Sequence, residues 1–217
     1  MFSIILPTYN RGHLVNRAVD SVLQQTFSDW ELIIIDDGSK DDTFSKLRDI
    51  VAADSRIRYH FSSNRGLAGA RNLGCSMASG KYLTFLDSDD EYLPDHLATR
   101  YEVLSQQPAI ELLHGGVEII GDRYVADKDD PTMKVDIADC VVGGTFFIRR
   151  DLWSRLGGFK DVYGDDNEFF ANATEHGATI RKVDAATYRY YRTESDSLCS
   201  IVSRDGIEGI VKFRAAG

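Results

Sequence analysis

Four short apolar runs, each ending in a cluster of polar residues, constrain the fold of this chain more than any other feature. They are Phe2–Leu6, Trp30–Ile35, Arg56–Phe61 and Tyr82–Leu86. Their lengths suit strands buried on both faces of a sheet. Pro7 is expected to cut the first of them. Helical segments lie between them. His13–Gln24 carries Leu14, Ala18, Val19 and Val22 at helical spacing, Asp42–Val51 follows, and Leu67–Ala78 presents the small residues Ala70, Gly74 and Ala78. Small residues permit close packing of a helix on a sheet. Apolar strands alternating with helices predict an α/β fold, with a mostly parallel central sheet flanked by helices. Right-handed crossovers then bring every strand's carboxyl end to one edge.

That edge is where open α/β sheets bind ligands, and here it gathers four polar clusters: Thr8–Arg11, Asp36–Ser39, Asn64–Arg65 and Asp87–Asp90. Each has an ordinary explanation when taken alone. Asp37-Gly38 is a strong turn signal, Ser39 or Asp41 could cap a helix, and the acidic turn precedes a helix opened by Pro94 and Asp95. Asp87, Asp89 and Asp90 nevertheless repel one another, so they suit a surface or a bound cation. Asp87-Ser88-Asp89 offers the hard oxygen ligands that Mg²⁺ or Mn²⁺ takes, often shared with phosphate oxygens. Four such turns on one edge predict a site for a phosphorylated, metal-bound ligand.

Composition narrows the partners. A net charge of -9 over 217 residues supplies no broad basic face, which argues against a nucleic-acid binder. Cys75, Cys140 and Cys199 are too widely spaced for a zinc pattern and odd in number, as expected of thiols in a reducing cytosol. No run reaches the roughly 18 apolar residues of a membrane span, which leaves room for peripheral association with the inner face of a membrane.

The second half is less regular. Asp95–Gln106 reads as a helix, Ile110–Ile120 contains a strand, Asp122–Val125 is another, and Ala126–Asp139, with Asp127, Asp129, Asp130 and Pro131, reads as a mobile loop. Gly143-Gly144 would let backbone approach a ligand closely. Asp151–Leu156 is a short helix closed by Gly157-Gly158. Gly164-Asp165-Asp166-Asn167-Glu168 opens another helix, and Thr179–Val183 and Thr187–Tyr191 suit late strands. No linker or repeat interrupts the chain, which predicts one domain, with residues to about 115 forming a ligand-binding half and those from about 116 an annex.

Four ordered motifs carry a resemblance. Ser3-Ile4-Ile5-Leu6-Pro7-Thr8-Tyr9-Asn10-Arg11, Trp30-Glu31-Leu32-Ile33-Ile34-Ile35-Asp36-Asp37-Gly38-Ser39, Asn64-Arg65-Gly66-Leu67-Ala68-Gly69-Ala70-Arg71-Asn72 and Leu86-Asp87-Ser88-Asp89-Asp90 resemble the family-2 glycosyltransferases of GT-A fold. The resemblance runs from Phe2 to Pro94 and resumes at Gly143–Phe159, Gly164–Phe170 and Tyr190–Ser200. It implies an inverting transfer of a sugar from a nucleotide diphosphate donor, foremost a UDP-sugar, to a glycan or lipid-linked acceptor. It implies that Thr8, Tyr9 and Arg11 contact the nucleoside and phosphates, and that Asp36 or Asp37 bonds the uracil edge. Arg71 would lie near base or phosphates, Asp87 and Ser88 near the ribose or the metal's water shell, and Asp89 on the Mn²⁺ or Mg²⁺ itself. Asp166 would be the base that takes the acceptor's proton, with Asp165 the fallback. Glu194 stands where many relatives carry a late histidine, as a substitute metal ligand or as a mark of weakened pyrophosphate binding that Arg192 could offset. Trp153 and Phe159 could stack on an acceptor sugar or anchor the short helix. The five histidines show no ligand spacing. A nucleotide-binding relative without turnover is the alternative reading. A nucleotidyltransferase is disfavoured because no Gly-rich, Lys-containing phosphate loop follows the first strand.

Overall fold

The central sheet forms because β1 (Phe2–Thr8), β2 (Trp30–Asp36), β3 (Ile57–Phe61) and β4 (Tyr82–Phe85) present apolar side chains to both faces. In this computed structural model, residues 1–127, 130, 132–194 and 197–210 are described. β1 and β2 are buried along their whole lengths. They pair in parallel from Phe2↔Trp30 to Thr8↔Asp36, and β1 pairs with β4 from Phe2↔Tyr82 to Ile5↔Phe85. Pro7 does not end β1, contrary to expectation. β4 has left the ladder by that point, after the Leu86 N–H donates to the Ile5 carbonyl, so the missing proline N–H forfeits no bond on that side.

The remaining elements are α1 (Val15–Leu23), α2 (Thr43–Ala53), α3 (Gly66–Met77), β5 (Glu91–Tyr92), α4 (His96–Gln106), β6 (Leu112–His114), β7 (Val117–Gly121), β8 (Tyr124–Ala126), β9 (Lys134–Asp136), β10 (Phe147–Arg149), α5 (Arg150–Leu156), α6 (Asp165–Glu175), β11 (Ile180–Lys182), β12 (Tyr188–Arg192) and α7 (Leu198–Asp205). The large sheet has the order β11-β6-β10-β4-β1-β2-β3, a second sheet β5-β12-β7, and a hairpin β8-β9. β10 alone runs antiparallel to its neighbours in the large sheet.

Helices cover the sheet by fitting their apolar stripes to it. Val15, Ala18, Val19 and Val22 of α1 are fully buried against Ile4, Leu6, Leu32 and Ile34, the spacing of a single helical face. Ile5, Ile33 and Ile35 face α3 instead. A Cβ on Gly74 would stand 2.6 Å from Ile5 Cγ2, which is why this stripe needs small residues. Boundaries expected from the sequence shift by a residue or two. The larger correction is residues 126–139, expected to be a loop: β9 pairs with β8 and a turn of 3₁₀ helix spans Ile137–Asp139. Asp129 and Pro131 lie outside the described residues. No helix among the described residues is long and apolar enough to cross a membrane.

Candidate functional site

The strand order makes a switch point. The chain builds outward from β1 to β2 and β3, then returns to place β4 on β1's other side. The crevice between the carboxyl ends of β1 and β4 is thus lined by the loops after Thr8 and Phe85. Thr8 is 3% exposed and its Oγ1 has no partner among the described residues. Asn10 adopts φ of 51°, a left-handed conformation that asparagine tolerates. Its N–H donates to Ser39 Oγ at 2.8 Å, and its Oδ1 accepts the Lys40 N–H at 2.8 Å. The loops after β1 and β2 are therefore tied together.

Asp36 and Asp37 face different partners. Asp36 accepts the Ser39 N–H at 2.7 Å and the Tyr59 hydroxyl at 2.5 Å. It lines a cavity of about 320 Å³ with Ser39, Asp41, Phe44, Tyr59 and Phe61. Asp37 instead accepts the N–H groups of Arg65 and Gly66, both at 2.8 Å, at the start of α3. Of the two, Asp36 borders open space and Asp37 closes a helix end.

The acidic turn after β4 divides by role. Asp90 is fully buried; it accepts the Tyr188 hydroxyl at 2.6 Å and the Tyr191 N–H at 2.8 Å. It pins β12 to the turn and is not offered to a ligand. Ser88 is buried, while Asp87 and Asp89 keep partial exposure. Burial, then the Asp87 carboxylate, pushes Asp89 up to about 6, against the pull of Arg11 and Arg17. Sequence reasoning missed Arg17. It donates to the Asp89 carbonyl and its guanidinium lies 3.8 Å over the Tyr191 ring. Only the tertiary fold shows that this α1 charge meets the turn.

Arg71 joins the two halves of the chain. It is 3% exposed, with Nη1 3.0 and 2.9 Å from the Asp165 oxygens and Nη2 3.0 Å from Asp87 Oδ1. Its guanidinium lies 5.7 and 5.8 Å from the ring centroids of Phe85 and Phe159, which pack edge-on against each other. This planar fork suits two carboxylates at once. Asp165 is thereby occupied. Burial raises its pKa, with the Asp166 charge adding to that, and Arg71 opposes both. Asp166 remains partly exposed. Its Oδ2 accepts the Gly143 N–H at 2.8 Å and its Oδ1 the Asn167 N–H at 2.8 Å. Gly143 thus approaches Asp166, where the sequence suggested approach to a ligand.

The other candidates lie as follows. Tyr9 is half-buried and Arg11 is buried beside the turn. Glu194 Oε1 accepts the Thr193 hydroxyl at 3.2 Å. Phe159 is core, 5% exposed and 4.8 Å from the Phe169 ring, and Trp153 packs against the same cluster.

Among the described residues no group of three or more His, Cys, Asp or Glu side chains is arranged to hold a metal ion. Asp87 and Asp89 are the two partly exposed carboxylates of the acidic turn. A cation that keeps phosphate oxygens in its shell needs only one or two from protein, and the mutual repulsion that raises Asp89 is what a cation at Asp87 and Asp89 would relieve.

The sequence matches Glycosyl transferase family 2 over residues 3–150. It is 34% identical over 148 residues to the UDP-Glc:alpha-D-GlcNAc-diphosphoundecaprenol beta-1,3-glucosyltransferase WfgD of Escherichia coli, a match covering 66% of this chain and 57% of that protein. It is 30% identical over 206 residues to the GalNAc(5)-diNAcBac-PP-undecaprenol beta-1,3-glucosyltransferase of Campylobacter jejuni, covering 90% of this chain and 67% of that one. The chain thus spans little more than half of the first relative and two thirds of the second. Among solved structures, residues 1–349 of S. aureus TarS in complex with UDP-GlcNAc align with a TM-score of 0.76 at 21% identity, covering 99% of this chain and 65% of that one. That likeness is one of fold, and the fold is GT-A. By its sequence match over residues 3–150, the chain belongs to glycosyl transferase family 2.

Proposed function

We propose that this protein transfers a hexosyl or N-acetylhexosaminyl group from a UDP-sugar to a hydroxyl of a lipid-linked saccharide, with inversion and with the help of Mn²⁺ or Mg²⁺. The observation that carries the reading is the buried Arg71 fork, which fixes Asp87 of the acidic turn and Asp165 of the α6 start to one group. This bridge supports a reading in which a donor loop and a carboxylate for proton abstraction, far apart in sequence, meet at one crevice. The substrates of the two undecaprenol-linked relatives support the acceptor class, and WfgD together with the UDP-GlcNAc complex of TarS supports the nucleotide.

In this reading residues to about 115 hold the donor and those from about 116 receive the acceptor. Asp89, with Asp87 beside it, would hold the cation, which supplies Lewis-acid neutralisation of the departing diphosphate. Thr8 Oγ1, buried and without a partner among the described residues, is a hydrogen-bonding group for the donor. Arg11 and Arg17 add positive charge around the same turn. Asp166 takes the proton from the acceptor hydroxyl as its oxygen attacks the anomeric carbon. The new glycosidic bond forms as the bond to phosphate breaks, and the electron pair leaves with UDP. Asp165, neutralised by Arg71, orients the helix start. A lipid-linked acceptor would bring the enzyme to a membrane surface, and in this reading that surface is the cytoplasmic face.

The test pairs transfer with donor binding. Asp166→Asn is expected to bind UDP with Mn²⁺ as the wild type does and to lose transfer by at least 10²-fold. Undiminished transfer by that variant would remove Asp166 from the role.

A further inference from the structure

We infer that the Gly143-Gly144 turn is a positioning element that sets the base Asp166 against the acidic donor turn. This inference rests on the functional reading above and deepens it. The two glycines touch different halves of the site. Gly143 donates its N–H to Asp166 Oδ2 at 2.8 Å, while a Cβ there would stand 2.9 Å from Asp166 Cβ and 3.2 Å from Oδ2. Gly144 lies against the Tyr188 ring, where an added Cβ would come within 2.2 Å of Cζ and 2.3 Å of the hydroxyl. No side chain fits at either position.

Tyr188 carries the second contact to the donor turn. Its hydroxyl donates to Asp90 Oδ2 at 2.6 Å and accepts the Asp87 N–H at 3.4 Å. The ring is fully buried and also packs edge-on against Tyr92. The chain of contacts runs from Asp166 through Gly143 and Gly144 to Tyr188, and from Tyr188 to the backbone of Asp87 and the side chain of Asp90. Every link is a hydrogen bond or a van der Waals contact, so the spacing between base and donor turn is fixed from this side as Arg71 fixes it from the other.

The geometry also selects a working orientation for Asp166. Gly143 N–H holds one oxygen and Asn167 N–H the other. The Asn167 side-chain Nδ2 adds a contact to Oδ1 at 3.3 Å, so the carboxylate plane cannot swing without breaking a bond. A carboxylate anchored in this way keeps free lone pairs for a substrate proton. A misplacement of about 1 Å in such a group costs on the order of 10²-fold in rate.

Adjacent substitutions should therefore separate two functions. In Gly143→Ala the new methyl displaces Asp166. The expected result is a fall in kcat of about 10²-fold with Mn²⁺-dependent UDP affinity within about twofold of wild type. In Tyr188→Phe the hydroxyl links to Asp87 and Asp90 are lost. The expected result is Mn²⁺-dependent UDP affinity about tenfold weaker, with kcat at saturating donor less affected than in Gly143→Ala. A structural role alone would lower thermal stability, kcat and UDP affinity together in both variants, and that pattern would overturn the inference. So would wild-type kcat in Gly143→Ala. Should Gly143→Ala not fold, the Gly143 amide is followed by hydrogen exchange in the intact protein: protection lost in Asp166→Ala supports the clamp, and an amide unprotected in the wild type refutes it. A wild type that neither binds UDP nor transfers sugar would instead refute the functional reading itself.

Discussion

Replacing Arg71 by methionine keeps an unbranched apolar stem and removes the guanidinium with its charge and its fork. The Asp165 side chain it leaves behind is 8% exposed and would lose both bonds to Nη1, at 2.9 and 3.0 Å; Asp87, at 29%, would lose its bond to Nη2. Breaking a buried pair by removing one partner costs about 3–5 kcal/mol, because an uncompensated charge remains. Asp87 adds little to this, since water reaches it. In a domain of this size each kcal/mol moves Tm by about 2–4 °C, so a fall of roughly 10 °C is expected. Urea unfolding followed by circular dichroism measures the cost directly, provided the m-value is unchanged. Adding Asp165→Asn to Arg71→Met removes the stranded charge and should recover about 1–3 kcal/mol of the loss, the range of coupling between contacting residues. A cost below about 1 kcal/mol for Arg71→Met, or strict additivity of the two changes, would refute the claim that this ion pair holds the halves together.

Other consequences follow from the same site. Asp89 binds its proton more tightly folded, with a pKa of about 6 against 3.8, so its contribution to the stability of the free protein is greatest below pH 3.8 and is lost as pH rises through about 6. Mn²⁺ competes with that proton, so its affinity should fall about tenfold per pH unit below pH 6, as read by calorimetry from pH 5 to 8, and Asp89→Asn, which removes the ligand, should show no Mn²⁺ binding at any of these pH values. Arg17→Ala removes the bond to the Asp89 carbonyl and the stack on Tyr191; it should weaken Mn²⁺-dependent UDP binding several-fold while changing Tm by only a few degrees. Gly74→Val would force side chain into Ile5, 2.6 Å from the Cβ position, and should cost about 1–3 kcal/mol in urea unfolding while leaving UDP affinity per folded molecule unchanged.

The first half of the fold was legible because its signals are local. Runs such as Trp30–Ile35 are long enough to be strands and are bounded by turn residues, and the α1 stripe repeats at helical spacing. The second half fails on that test. β5, β6, β8, β9, β10 and β11 are two or three residues long, too short for any periodicity. They persist because neighbours complete their ladders, as β8 does for β9. The site was legible at the level of residue types on one edge. What the sequence could not give was pairing. Asp87, Asp89 and Asp90 look alike in sequence, yet only the position of Tyr188 and the Tyr191 N–H takes Asp90 out of service. Asp165 and Asp166 likewise separate only once Arg71 is seen to occupy the first. Arg17 and the Gly143 N–H carry no sequence signal of their own, because their partners lie on distant elements.

The central claim is a metal-dependent nucleotide site at the carboxyl edge of the sheet. Calorimetric titration of the protein with UDP, GDP, CDP and dTDP, each with and without Mn²⁺, tests it without knowledge of the acceptor. The account predicts selective binding of UDP that requires Mn²⁺ and is lost in Asp89→Asn. Binding of none of the four nucleotides, or UDP binding indifferent to both Mn²⁺ and Asp89, would contradict it.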